Sequence, residues 1–125
     1  MREASSYRLG DLQLRIMRVL WRFGPLGVGE VRDKLDGDDL AYTTIATMLR
    51  KMEDRGLVDH ETQDRKFIYA AAVDEQDVTR SMADDLVDRL FEGSLAQTVS
   101  HLLQTRDVAP NELAELEAII RKRKK

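Results

Sequence analysis

The chain has 125 residues, with 20 Lys/Arg against 23 Asp/Glu and a formal net charge of −3. The absence of cysteine excludes a disulfide scaffold, a thiol nucleophile and thiolate metal sites. No apolar run approaches the ~18 residues needed to span a bilayer, and "MREASSYRLGD" lacks the apolar core of a signal peptide, so a cytoplasmic protein without membrane insertion is expected.

The charge is unevenly spread. Residues 1–72 carry 12 Lys/Arg and 12 Asp/Glu, whereas residues 73–125 carry 8 and 11. Nucleic-acid binding usually shows as a basic footprint, so the overall acidity counts mildly against it. The balanced N-terminal part could still gather cations on one face.

In chain order, "LGDLQLRIMRVLWRF" places Leu12, Ile16, Val19, Leu20 and Phe23 at helical spacing, with Asp11 as N-cap and Gly24-Pro25 as the stop. In "VGEVRDKLDGDD", Val28, Val31 and Leu35 predict a short second helix ending near Gly37. "AYTTIATMLRKMED" predicts a third, closed by Gly56. Two short segments rich in β-branched and aromatic residues follow, "LVDHETQ" and "KFIYAAAV", with a charged tip between them: a β-hairpin. Three helices and then a hairpin is the order of a winged helix-turn-helix domain, expected over residues 1–73.

After Val73 the chain reads as helical again. Val78, Met82, Leu86 and Leu90 mark one seam; Leu95, Val99, Leu102 and Leu103 mark a second helix after Gly93. Pro110 opens a third, with Leu113, Leu116, Ile119 and Ile120 on its apolar face. Three short helices with one stripe each bury little surface alone. Residues 74–125 are therefore expected to pair with a second copy, as an interlocked helical dimer lacking coiled-coil heptads. The fold class expected is mainly α (α+β).

The third helix carries an anomaly. Threonine is a mediocre helix former, yet Thr43, Thr44 and Thr47 all sit within it. At 100° per residue, Ile45, Met48, Leu49 and Met52 share one face. Thr43, Thr47 and Arg50 share the opposite one, with Ala46 at its edge and Thr44 and Lys51 flanking. Hydroxyls, a threonine methyl and long cations suit a major groove: they reach phosphates, base edges and thymine methyls. The plainer reading is that these threonines cap the helix and decorate a solvated face. Arg65 and Lys66, at the hairpin tip, would flank the helix as a wing on the phosphate backbone.

These blocks, "LGDLQLRIMRVLW", "LAYTTIATMLRKMEDRGLV" and "RKFIYAAAV", resemble the penicillinase-repressor family of bacterial regulators (BlaI/MecI-like) over nearly the whole chain. The resemblance implies a homodimeric repressor of palindromic operator DNA, controlling genes for β-lactamases or other cell-wall stress functions, often beside a membrane sensor protease. It implies DNA contacts at Thr43, Thr44, Thr47 and Lys51, with Ala46 and Arg50 nearby. Position 43 is a cation in some relatives. Alignment through "DVAPNELAEL" places the bond cleaved in some members at His101–Leu102, where staphylococcal members have Asn-Phe. The cysteine-rich metal site of the copper-responsive branch has no counterpart here.

Two other readings compete. An enzyme finds little support, because His60 and His101 lie on different predicted elements. Asp38-Asp39 and Asp84-Asp85 are adjacent pairs that do not converge on a substrate. There is no glycine-rich phosphate loop or nucleophile elbow, and no cofactor or metal is expected. A winged helix that binds protein instead of DNA is favoured slightly by the acidity and by Asp54 on the outward face.

Overall fold

Helix α1 (Asp11–Phe23) turns Ile16, Met17, Val19 and Leu20 inward. The computed structural model to which it belongs describes residues 7–35 and 39–124. The N-cap of α1 is Gly10, not Asp11 as the sequence predicts. Gln13 Oε1 accepts the Gly10 N–H at 3.2 Å, so a side chain one turn on satisfies that donor. Asp11 instead lies in the first turn, where the helix dipole favours its charge. Phe23, expected on the apolar stripe, is 46% exposed and has Lys34 Nζ 4.5 Å from its ring centroid. The ring is held by a cation above it, not by the core.

A two-residue strand that the sequence does not foreshadow, β1 (Leu26–Gly27), follows, and then helix α2 (Val28–Lys34). The expected helix end near Gly37, and Asp38 of the Asp38-Asp39 pair, lie outside the described residues. Helix α3 (Tyr42–Asp54) leads into strands β2 (Val58–Gln63) and β3 (Lys66–Ala71). The three strands form an antiparallel sheet in the order β1-β3-β2. Gln63 pairs with Lys66, so Asp64 and Arg65 alone make the turn, with φ 50° and 67°. Two positive φ values in a two-residue loop match the right-handed twist of the strands. Neither residue is a glycine, so this tip carries backbone strain.

Helices α4 (Glu75–Phe91), α5 (Leu95–Thr105) and α6 (Pro110–Arg123) complete the chain, with Pro110 at the first helical position as expected. Among the described residues, no helix is long and apolar enough to cross a membrane. The architecture is mainly helical with one small antiparallel sheet.

The chain divides into two compact units, Met1–Ala83 and Asp84–Lys125. The first has a filled core: Ile16 and Met17 from α1, Val31 from α2, Ile45, Leu49 and Met52 from α3, then Leu57, Val58 and Tyr69 from the hairpin region. Each fully buried side chain of this size contributes about 1.5–3 kcal/mol. The first turns of α4 belong to this core. Val78 is 1% exposed within it and Met82 packs against it. Ser81 Oγ accepts the Tyr7 N–H at 2.8 Å, and Trp21 Nε1 donates to the Val73 carbonyl at 3.0 Å. Val78 is thus buried in the core of the first unit, and Met82 is half-buried against it.

The second unit is different. Thr98 is the only buried side chain among its described residues, and its hydroxyl bonds back to the Ser94 carbonyl at 2.8 Å. Leu86, Leu90, Leu95, Leu102, Leu103, Leu113, Ile119 and Ile120 are all exposed. Glu92 and Gly93, both with positive φ, end α4, and Ser94 Oγ caps α5 by accepting the Gln97 N–H at 3.0 Å.

Candidate nucleic-acid interface

Helix α3 is anchored at its C-terminal end. The Gly56 N–H (φ 81°) donates to the Glu53 carbonyl at 2.9 Å, and the Leu57 N–H donates to that of Met52 at 3.0 Å. This paired pattern closes the helix, and Gly56 takes the left-handed conformation it needs. Arg55 ties the same end to the start of α1: its guanidinium donates to Gln13 Oε1 at 2.9 Å and to the Arg8 carbonyl at 2.8 Å. His60 Nδ1 lies 2.8 and 2.9 Å from the two Glu53 carboxylate oxygens, and its ring stacks on Phe67 at 3.9 Å. Helix and hairpin are thereby fixed to each other through side chains on both.

The helix start is left open. Its N-cap is Ala41, which offers no side chain to the first N–H groups. The threonines therefore do not cap α3. Thr43, Thr44, Thr47, Arg50 and Lys51 are all exposed, and Ala46 is half-buried. Ile45, Leu49 and Met52 are each 0% exposed, so the helix divides cleanly into an anchored side and an open one.

The open side has two parts. Thr43, Thr44, Thr47 and Lys51 line a shallow depression, which Met48 borders. Met48 is only half-buried and receives Gln13 Nε2 on its sulfur at 3.5 Å, so it does not share the full burial expected of it. The second part is a cleft of about 570 Å³ between α3 and the hairpin. Tyr42, Ala46 and Arg50 face it from the helix, and Arg65, Lys66 and Phe67 from the wing. Gly27, Gly29 and Glu30 line it as well. The structure thus groups Ala46 and Arg50 with the wing cations, and Thr43, Thr44 and Thr47 with Lys51.

Tyr42 is a residue that sequence reasoning missed. It precedes Ala46 and Arg50 by four and eight positions, so helical phase alone places it on their side. It is 51% exposed. Tyr69, behind the cleft, has its phenol pushed above its ordinary value of 10.0, first by burial and then by the Glu53 carboxylate, against an opposing pull from Arg50.

The expected dimerisation residues Leu95, Val99, Leu103 and Ile120 line one apolar groove between α5 and α6, together with Ala96, Ser100 and Gln104. His101 and Leu102 are exposed in the interior of α5. The carbonyl of the bond between them accepts the Thr105 hydroxyl at 2.8 Å.

Residues 9–122 match the family model described as penicillinase repressor. The chain is 34% identical over 123 residues to the transcriptional regulator BlaI of Mycobacterium tuberculosis, spanning 92% of this chain and 89% of that one. It is 26% identical over 118 residues to the penicillinase repressor of Bacillus licheniformis, spanning 94% and 92%. Among solved structures, the DNA-binding domain of the repressor BlaI superposes with a TM-score of 0.51 at 28% identity, covering 62% of this chain and 93% of that one.

Proposed function

The chain belongs to the penicillinase-repressor family and is a DNA-binding transcriptional repressor, not an enzyme; from that premise we propose that it works as a homodimer on palindromic operators. Helix α3 enters the major groove and presents Thr43, Thr44, Thr47 and Lys51 to base edges and phosphates. The wing, through Arg65 and Lys66, rests on the backbone beside it. The observation that carries this reading is the open side of α3. Its hydroxyls and cations are uncovered within this chain, while its apolar side is fully buried.

The exposed leucines and isoleucines of α5 and α6 support pairing of two copies through residues 84–125. A monomer would leave that apolar surface in water. By the resemblance, the regulated genes serve β-lactam or cell-wall stress, and the protein acts in the cytoplasm. The same resemblance makes a membrane sensor protease a further partner, with His101–Leu102 as the bond it would cut. That bond lies inside a helix, so cleavage requires α5 to unwind locally.

Selection from a random duplex pool tests the reading. The expected product is a twofold-symmetric sequence with half-sites about one helical turn or a multiple apart, bound with steep salt dependence. Asp54, exposed at the end of α3, favours the rival reading of a protein-binding module. No sequence enrichment, together with salt-insensitive association, would select that rival.

A further inference from the structure

We propose that Tyr42 is a DNA-positioning residue whose hydroxyl donates to one backbone phosphate seated in the cleft between α3 and the wing. This rests on the operator-binding reading and adds a contact that it lacks. Three observations converge on it. First, Tyr42 is the first residue of α3, at the end of the helix that points to DNA in helix-turn-helix docking. Second, its ring borders α2: a Cβ added at Gly29 would stand 3.8 Å from Tyr42 Cε2, ordinary van der Waals contact. Third, no hydrogen bond occupies the Tyr42 hydroxyl among the described residues, although half the residue is exposed.

The setting decides which part of the duplex is met. Arg50, Arg65 and Lys66 surround the same cleft. Among the described residues the only acidic one lining it is Glu30, whose Oε1 already accepts the Gly27 N–H at 2.9 Å. Three cations against one carboxylate make an anion seat. With α3 in a major groove and the wing beside it, the strand that separates the two grooves must run between them. A neutral phenol there adds a directional donor to a site whose other contacts are flexible charges.

The experiment uses the full chain and the duplex selected by it. Tyr42→Phe keeps the ring beside Gly29, and its melting temperature is measured to confirm an unchanged fold. Binding is expected to weaken roughly 3- to 10-fold, the effect of one hydrogen bond. The loss should be similar on the selected duplex and on a scrambled one, with an unaltered salt slope, because no charge is removed. Arg50→Ala, by contrast, should flatten that slope by about 1. A series of duplexes with single methylphosphonates then locates the contact. At one phosphate per half-site, the neutral linkage should weaken wild type and erase its advantage over Tyr42→Phe. Equal binding by Tyr42→Phe and wild type would overturn the proposal, as would a loss confined to one base identity. If wild type itself bound no duplex in a salt-dependent way, the repressor reading would fail as well, and the two failures are thereby distinguished.

Discussion

The two units of this chain answer the same physical demand in opposite ways. The first hides its apolar side chains: Ile16, Met17, Val31, Ile45, Leu49 and Met52 are all 0% exposed. The second buries only Thr98 among its described residues, and leaves Leu90, Leu95 and Ile119 each about two-thirds exposed (68%, 67% and 64%). One unit can hold its shape by itself and so can offer a rigid surface to a ligand. The other has helices but no comparable interior, and helices of 11 and 14 residues without a packed face are marginal in water. We propose that the contrast divides the work: the first unit reads DNA, and the second completes itself against a second copy.

The sharpest way to break this contrast is to charge the open faces. Leu103→Asp, in the groove between α5 and α6, should exceed the about 2–5 kcal/mol that Leu→Ala costs in a packed core. The mass measured by light scattering should fall to that of one chain, and operator affinity should drop with it. A variant that stays dimeric would show that this groove is not where two copies meet.

Leu49→Ala probes the other side of the comparison. It should destabilise the first unit by about 2–5 kcal/mol in thermal or urea unfolding, while the oligomeric mass stays unchanged. Hydrogen exchange in the wild-type chain sharpens the same point. Amides of α1 and α3 should keep their protection on dilution, whereas those of α5 and α6 should lose it as the dimer dissociates.

Smaller effects are expected at the interface itself. Lys51→Ala and Arg65→Ala should weaken binding to all duplexes evenly, each lowering the salt slope by about 1. The smallest effect concerns Tyr69. Its folded pKa is raised above 10.0, so the folded state holds its proton longer than the unfolded one. That contribution is intact below pH 10 and is lost as pH rises through the folded value. Alkaline unfolding of Tyr69→Phe should therefore begin at higher pH than that of wild type.

Much of this was legible in the sequence, for reasons that particular residues make plain. Period 3.6 in "YTTIATMLRKMED" separates Ile45, Leu49 and Met52 from Thr43, Thr47 and Arg50, and the structure keeps that separation. Gly56 and the charged hairpin tip are local signals and were readable as such. Strand β1 was not, because two residues carry no period and its pairing of Leu26 with Tyr69 is long-range. The N-cap of α1 depends on where Gln13 reaches, which the Asp11 signal masked. Val78 continues the stripe of α4, and periodicity cannot say which surface a stripe packs against. Tyr42 is not marked by residue type, because an aromatic at a helix start serves core and surface alike; only its phase with Ala46 and Arg50 points outward.

The claim that most needs testing is that the open side of α3 is what touches base edges. Parallel selections from one random duplex pool, with wild type and Thr47→Ala, measure it directly. The expected result is a profile that relaxes at one position per half-site, with a loss of about 1–2 kcal/mol on the wild-type sequence and unchanged thermal stability. Two superimposable profiles with equal affinities would place Thr47 outside the interface and contradict this orientation of the helix.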